Sequence, residues 1–329
     1  MAICLVTGGA GFIGSHLVSA LIRQGHTVRV LDNLSTGRQA NLTGVRGHAE
    51  FIKGDVCDLE AVRRATRGAE IVFHQAAYTS IPGSMADPMA AHRICATGTM
   101  QVLTAALECN VRRVVYASSS ECGDSDRPGR RETDTPAPQS PYSAAKLAGE
   151  HYCRMFLEAY GLETVSLRYF DVFGPRQEPG GPYGGVIPLF IESMLAGKRP
   201  VIFGDGSQAR DFTYLEDAVR ATLLAAAAPA AAGRVYNIAS GQAIAFLDLV
   251  ASINRILGTA LEPQFTPARV FDVRRGPADV SRAKTELDFV PAVSFEDGLS
   301  RCVTDYQNRR AAIRSIPVPS RARAALVLS

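Results

Sequence analysis

The chain has 329 residues, of which 47% are hydrophobic and 20% charged, and its net charge is +3. A charge this small, with no basic run among aromatic residues, argues against a nucleic-acid partner. The seven cysteines are odd in number and form no Cys-x-x-Cys pair, so we expect free thiols, a reducing compartment and no metal site. No apolar run approaches the roughly 20 residues that cross a bilayer, and we expect a cytoplasmic protein without a signal peptide or membrane partner.

Short apolar runs alternate with helical patterns through the first half of the chain. The runs predict strands at 3–7, 27–32, 50–53, 71–74 and 113–117, followed later by 164–169 and 235–238. Helices are predicted at 15–24, 59–66, 89–108 and 143–160. Because helices separate the strands, we expect right-handed crossovers and an α/β fold with a doubly wound parallel sheet of the Rossmann type.

The texture of the sequence changes after Gly174, where a Gly- and Pro-rich loop begins. A helix at 187–196, a strand near Val201 and a helix after Phe246 follow. We predict that 1–173 and 211–241 form the Rossmann domain, and that 174–210 and 242–312 form a smaller substrate lobe. Residues 313–329 are a tail to which we assign no role.

A glycine-rich turn joins the first predicted strand to the first helix. Such a turn lets backbone N–H groups approach a pyrophosphate, so its position predicts a dinucleotide site. Asp32 ends the second strand, where a carboxylate binds ribose hydroxyls and repels a 2′-phosphate, so NAD is favoured over NADP. The expected cofactor contacts outside the chemical centre are Gly8, Gly11, Phe12, Ile13, Gly14, Asp32, Asn33, Asp55, Val56, Gln75, Ala76 and Ala77.

Tyr142 and Lys146 lie four residues apart at the start of a predicted helix, so phenol and ammonium share one face. A free phenol has a pKa near 10. We expect the ammonium and a positively charged nicotinamide ring to lower the pKa of Tyr142 and favour the phenolate. A serine run, Ser118-Ser119-Ser120, ends the preceding strand, where a hydroxyl can hold the substrate oxygen that Tyr142 deprotonates.

Together, the glycine turn, Asp32, Asp55, the serine run, the Tyr142/Lys146 pair and segment 168–174 resemble the extended short-chain dehydrogenases/reductases. Within them, the chain is similar to the nucleotide-sugar 4-epimerase and dehydratase group, from residue 3 to about residue 305. The resemblance implies that C4 of a sugar is transiently oxidised while Tyr142 takes its hydroxyl proton. It also implies that Tyr169 contacts NAD and that the helices at 89–108 and 143–160 pair across a two-fold axis in a homodimer.

Two reactions fit this resemblance. In an epimerase the 4-keto sugar turns over and takes the hydride back on its other face, whereas in a dehydratase the keto group acidifies C5 and water leaves from C6. Segment 177–188 is similar to the loop of UDP-hexose and UDP-N-acetylhexosamine 4-epimerases. Glu178 stands where UDP-glucuronate epimerases tend to carry an arginine. We therefore favour a UDP-sugar 4-epimerase, while a non-enzymatic NAD-binding regulator is disfavoured because Tyr142 and Lys146 are both present.

Departures from the family pattern leave alternatives at the chemical centre. The serine run is one residue short, so the catalytic hydroxyl is Ser119 if the strand fixes it and Ser118 if the following loop does; we prefer Ser119. That choice puts Glu121 where dehydratases carry a glutamate, so the alternative function is an NDP-sugar dehydratase with Glu121 as an additional acid/base. Asp171 and Cys95 replace asparagines that are common in the family, and a carboxylate donates no hydrogen bond unless protonated.

The resemblance also implies how the nucleotide sugar is held. Arg210 and Arg269 match positions that grip the diphosphate, and Phe203 is expected against the uracil or in the core. Gly276 matches the position where a missing side chain leaves room for an N-acetyl group, although it also fits a simple turn before Pro277. The expected substrate contacts are Ser120, Asp171, Val186, Phe203, Arg210, Arg269 and Gly276.

Overall fold

The computed structural model describes residues 1–123, 129–179, 185–268 and 276–314, without the side chains of 313 and 314. Its strands are β1 (Ile3–Thr7), β2 (Thr27–Asp32), β3 (Ala49–Lys53), β4 (Ile71–His74), β5 (Arg113–Ser119), β6 (Glu163–Tyr169), β7 (Val201–Phe203), β8 (Ala209–Asp211), β9 (Val235–Ile238), β10 (Ala243–Ala245) and β11 (Gln264–Thr266). Seven of them form one sheet in the order β3-β2-β1-β4-β5-β6-β9, and every pair in it is parallel. The order reverses between β1 and β4, so a crevice opens at their carboxyl ends.

The helices cover both faces of this sheet and build a second, smaller core. They are α1 (Phe12–Arg23), α2 (Leu59–Thr66), α3 (Ile81–Ala86), α4 (Pro88–His92), α5 (Gly98–Glu108), α6 (Pro141–Tyr160), α7 (Val186–Leu195), α8 (Leu215–Ala227), α9 (Phe246–Leu257), α10 (Ser281–Leu287) and α11 (Phe295–Arg314). Helices α1 and α8 pack on one face, and α2, α5 and α6 pack on the other. The apolar sides of α7, α9 and α11 enclose the separate core of the smaller lobe.

The doubly wound parallel sheet expected from the sequence is confirmed, and β1, β2, β4 and β9 have the predicted bounds. The predicted single helix at 89–108 is instead α4 and α5, joined by a π-helical turn over Arg93–Thr97. That turn widens the helix where the Cys95 thiol accepts the N–H of Tyr78 at 3.2 Å. The domain boundaries stay a prediction, although α11 continues to Arg314, past the predicted end of the lobe.

Helix α6 begins earlier than predicted because its first residues carry strong start signals. The Ser140 hydroxyl accepts a hydrogen bond from the N–H of Ser143, and the Ser143 hydroxyl accepts one from the N–H of Ser140. This reciprocal pair is a capping box. Pro141 supplies the φ angle of a first helical residue. Within the described ranges, no helix is long and apolar enough to cross a membrane.

A buried ion pair fixes α6 to the sheet. Arg168 on β6 donates to both carboxylate oxygens of Glu150 on α6, at 2.8 Å each, and both side chains are 5% exposed. The Ser118 hydroxyl, near the end of β5, donates to the same carboxylate at 2.5 Å. Glu150 therefore holds one helix and two strands in register at the edge where the crevice opens.

Glu150→Gln should destabilise the protein because it removes the carboxylate that is paired with the buried Arg168 guanidinium. Removing one partner of a buried ion pair costs about 3 kcal/mol or more of unfolding free energy. Glu158→Gln is the matched control, since Glu158 lies on the same helix in an exposed pair with Arg154 and should leave that free energy nearly unchanged. Urea unfolding measures both, and equal stability of the two variants would contradict the structural role of Glu150.

Candidate active site

The glycine turn leaves no room for side chains. Gly8 has φ +67°, and a Cβ placed on it would lie 2.7 Å from the backbone nitrogen of Ala76. A Cβ on Gly14 would collide with the carbonyl of Gly8. Gly11 caps α1 without a side chain, so the N–H groups of the first turn are open to a phosphate.

A carboxylate next to this turn fits the ribose of NAD. Asp32, at the end of β2, accepts the N–H of Ala10 at 2.9 Å and that of Leu34 at 2.8 Å. Burial raises the pKa of Asp32, and these two hydrogen bonds oppose that rise. A Cβ at Gly37 would come within 2.9 Å of both carboxylate oxygens, so the loop after β2 closes directly on Asp32.

The adenosine end continues along the same edge of the sheet. Asn33 donates to the Asp55 carboxylate at 2.8 Å, and Val56 is buried beside it. Together with Ala76, these predicted contacts follow β2, β3 and β4. The close backbone approach at the glycine turn and the acidic group beyond it are the features that dinucleotide binding requires, so the residues present fit NAD.

A cleft of about 370 Å³ opens at the carboxyl ends of β1, β4, β5 and β6 and brings the chemical residues together with part of the predicted cofactor set. The predicted contacts Asp32, Asn33, Asp55, Val56 and Ala76 are not part of its lining. Its lining includes Gly8, Gly11, Phe12, Ile13, Gly14, Gln75, Ala77, Thr79, Ile81, Pro82, Ser118, Ser119, Ser120, Glu121, Tyr142, Lys146, Tyr169, Asp171 and Val186. The size lies in the range of small-molecule sites. Tyr169 is anchored at its wall, with its hydroxyl 2.7 Å from that of Thr222 and 3.3 Å from the Gln75 amide.

Tyr142 and Lys146 are both buried at the floor of this cleft. Burial raises the pKa of Tyr142 well above its usual value, which is opposite to the direction expected from the sequence, while a hydrogen bond with Ser119 lowers it. Burial also lowers the pKa of Lys146. The Lys146 ammonium donates to the carbonyl of Ala117 at 2.6 Å and lies 4.9 Å from the centroid of the Tyr116 ring.

The two candidate serines point in different directions. Ser119 lines the cleft together with Tyr142, and its hydroxyl accepts the N–H of Glu121 at 3.2 Å. The Ser118 hydroxyl instead donates to Glu150. The difference follows from the alternation of side chains along β5, which turns consecutive residues to opposite faces.

Three further residues predicted at the site also line the cleft. Glu121 belongs to the turn Ser120–Cys122 that follows β5, and Val186 begins α7. Asp171 follows β6 with φ +32°, a backbone region that residues other than glycine rarely occupy. Such strain concentrates at functional sites, so the position of Asp171 fits a role at the site.

Other predicted substrate contacts lie outside this cleft. Phe203 is half-buried at the end of β7. Arg210 is buried on β8, with its guanidinium 5.4 Å from the centroid of the Phe246 ring. Gly276 precedes Pro277, whose carbonyl accepts the N–H of Gly129. The predicted contact at Arg269 falls outside the described residues.

Two structural supports of the site were not predicted from the sequence. Glu150 stands four residues after Lys146, so its helical spacing was a usable signal. Cys95 was noted only as a replaced asparagine; its thiol lies in one apolar cluster with Tyr142 and Ala145 and donates to the Tyr78 carbonyl at 3.5 Å. Within the described ranges, no group of His, Cys, Asp and Glu side chains could hold a metal ion.

Comparisons with known proteins show the family to which the chain belongs. The model described as "NAD dependent epimerase/dehydratase family" matches residues 4–239. A UDP-glucose 4-epimerase of Mycolicibacterium smegmatis is 37% identical over 310 residues, or 93% of this chain and 98% of that protein. A dTDP-glucose 4,6-dehydratase of Streptomyces griseus is 35% identical over 316 residues, or 93% of this chain and 94% of that protein.

The fold is also similar to that of a solved enzyme. The structure of a UDP-N-acetylglucosamine 4-epimerase from Methanobrevibacter ruminantium M1, in complex with UDP-N-acetylmuramic acid, has a TM-score of 0.88 and 35% identity, covering 94% of this chain and 99% of that one. The family and the cofactor predicted from the glycine turn and Asp32 are thereby confirmed. This chain belongs to the NAD-dependent epimerase/dehydratase family.

Proposed function

We propose that the protein epimerises a UDP-hexose or UDP-N-acetylhexosamine at C4. The observation that carries the proposal is that Ser119, Tyr142 and Lys146 line one cleft together with the glycine turn. A base and a hydroxyl at the mouth of a dinucleotide site are suited to removing a proton from an alcohol as its carbon is oxidised. The identities to a UDP-glucose 4-epimerase and a UDP-N-acetylglucosamine 4-epimerase support the choice of substrate.

In the proposed mechanism Tyr142 takes the proton of the C4 hydroxyl and later returns it. Ser119, which lines the cleft together with the phenol, holds the same oxygen during the transfer. When bound, NAD supplies the hydride acceptor and a positive ring that favours the phenolate. The Lys146 ammonium, fixed by the Ala117 carbonyl, lies on the same helical face as the phenol. The 4-keto sugar turns over between the two proton transfers, so the product differs only in configuration at C4.

The remaining substrate contacts are part of the same proposal. Ser120, Asp171 and Val186 line the cleft, and Asp171 would accept from sugar hydroxyls because a carboxylate is an acceptor. We propose that Arg210 and Arg269 bind the diphosphate and that Phe203 lies against the uracil. The contact of its guanidinium with the Phe246 ring fixes the position of the Arg210 side chain.

A second candidate function is dehydration of an NDP-sugar, with Glu121 as the additional acid/base. Glu121 lines the cleft on the turn that Ser119 caps. The identity to a dTDP-glucose 4,6-dehydratase gives this candidate independent support. We place it second because segment 177–188 resembles the epimerases.

We also propose a homodimer and a cytoplasmic location. Met155 and Tyr160 on α6, and Met89 on α4, are exposed at 37%, 57% and 71%. These apolar groups support pairing of the helices across a two-fold axis, as expected from the resemblance. All seven cysteines are free thiols, which supports a reducing compartment.

Tyr142→Phe should lower turnover of UDP-glucose by about 10²- to 10⁴-fold, because the acid/base group is lost. Folding and NAD binding should persist, since only the hydroxyl is removed. Glu158→Gln is the control, because Glu158 lies on the same helix in an exposed pair with Arg154. A coupled assay that measures UDP-galactose checks both variants, and near-normal turnover of Tyr142→Phe would remove the central claim.

Glu121→Gln separates the two candidate functions. An epimerase removes no proton from C5, so the variant should keep turnover within a few-fold of the parent enzyme. A collapse of activity, together with a product of the parent enzyme that has lost water, would favour the dehydratase. Mass spectrometry of the products with UDP-glucose and dTDP-glucose gives the answer.

Gly276→Tyr tests the size of the sugar pocket. If Gly276 leaves room for an N-acetyl group, the parent enzyme uses UDP-N-acetylglucosamine as well as UDP-glucose. The variant should then lose the N-acetylated substrate and largely keep the plain hexose. Values of kcat/KM for both substrates measure this; unchanged values would place Gly276 outside the pocket, and equal losses would indicate a disrupted turn.

A further inference from the structure

A buried arginine lies behind the catalytic serine turn. Arg130 is only 3% exposed. It belongs to none of the motifs identified in the sequence. Taking a guanidinium out of water is unfavourable unless local contacts replace its hydration. The contacts that Arg130 makes therefore indicate what the side chain does.

The guanidinium joins two elements that bear site residues. One of its nitrogens donates to the carbonyl of Ser120 at 3.2 Å. Its central carbon lies 4.5 Å from the centroid of the Phe170 ring, and Phe170 immediately precedes Asp171. The planar group therefore spans the gap between the turn that follows β5 and the strained residue that follows β6.

Hydrogen bonds also fix the main chain of Arg130. Its carbonyl accepts the N–H of Asp279 at 2.9 Å and the side-chain amide of Asn237 at 3.0 Å. The preceding residue, Gly129, donates to the carbonyl of Pro277 at 3.0 Å. These bonds attach the segment to β9 and to the chain around Pro277, so the guanidinium projects from a rigid base.

The carbonyl that Arg130 holds belongs to the residue next to Ser119. Ser119 caps the turn Ser120–Cys122, and its hydroxyl accepts the N–H of Glu121. A shift of the Ser120 peptide would therefore move the Ser119 hydroxyl relative to Tyr142. A displacement of about 1 Å at a reacting group is enough to slow a reaction by about two orders of magnitude.

We infer that Arg130 is a positioning residue, which holds the Ser120 peptide so that the Ser119 hydroxyl meets both Tyr142 and the C4 oxygen of the sugar. Lysine cannot replace it fully, because its ammonium is a point charge that cannot lie flat on Phe170 while directing a fixed N–H to the carbonyl. The inference rests on the proposed function, since its readout is turnover of UDP-glucose.

The test is a double-mutant cycle in the full-length enzyme loaded with NAD. Arg130→Met should lower kcat at least tenfold, with the KM for UDP-glucose within threefold, because the lost contact acts on the transition state. Arg130→Lys should recover part of the loss. In the Ser119→Ala background, Arg130→Met should lower kcat less than threefold further, because both changes remove one effect.

Arg131→Met is the matched control, because Arg131 is the exposed neighbour, paired with Asp279 at 3.1 Å, and should keep kcat within twofold. Unchanged kcat in Arg130→Met, a loss confined to KM, or the same fold loss with and without Ser119 would overturn the inference. If Arg130→Met no longer binds NAD or no longer unfolds cooperatively, Arg130→Lys replaces it in the cycle, and its smaller loss of kcat must still leave KM unchanged and shrink in the Ser119→Ala background. Absence of epimerisation by the parent enzyme would instead defeat the proposed function, so the two failures are distinct.

Discussion

One row of side chains on α6 determines the geometry of the site. Tyr142, Lys146 and Glu150 are spaced four residues apart, so all three lie on the face that packs against β5 and β6. Glu150 is bound to Arg168 and to Ser118, which fixes the rotation of the helix about its axis. Because that rotation is fixed, the phenol and the ammonium cannot turn away from the cleft. The buried ion pair is thus the constraint on which the chemical groups depend.

The same burial governs the electrostatics of the site. It raises the pKa of Tyr142 and lowers the pKa of Lys146, so both charged forms are disfavoured by desolvation. Ser119 opposes this at the phenol through its hydrogen bond. The position of Ser119 therefore affects both the path of the proton and the acidity of the group that carries it. This is why a contact on the neighbouring Ser120 peptide matters for turnover.

Much of the fold could be predicted because its signals are local. The alternation of apolar runs and helices gave the strands that meet the glycine turn, and the spacing of Tyr142 and Lys146 gave the chemical pair. The π-helical turn at Arg93–Thr97 could not be predicted, because the helical pattern of the sequence continues through it, while its Cys95 contacts Tyr78 from a separate segment. The effect of burial on the pKa of Tyr142 could not be predicted for a similar reason: burial is set by packing from several elements. The role inferred for Arg130 could not be predicted either, because the residue belongs to no motif in the sequence.

The measurement that tests the account most directly follows an isotope at C4. UDP-glucose that carries deuterium at C4 is incubated with the enzyme, and the products are examined by NMR and mass spectrometry. We predict an unchanged mass, inverted configuration at C4 and deuterium retained on C4, because the hydride returns to the carbon it left. Loss of water, with deuterium moved from C4 to C6, would contradict the proposed epimerase and identify a dehydratase.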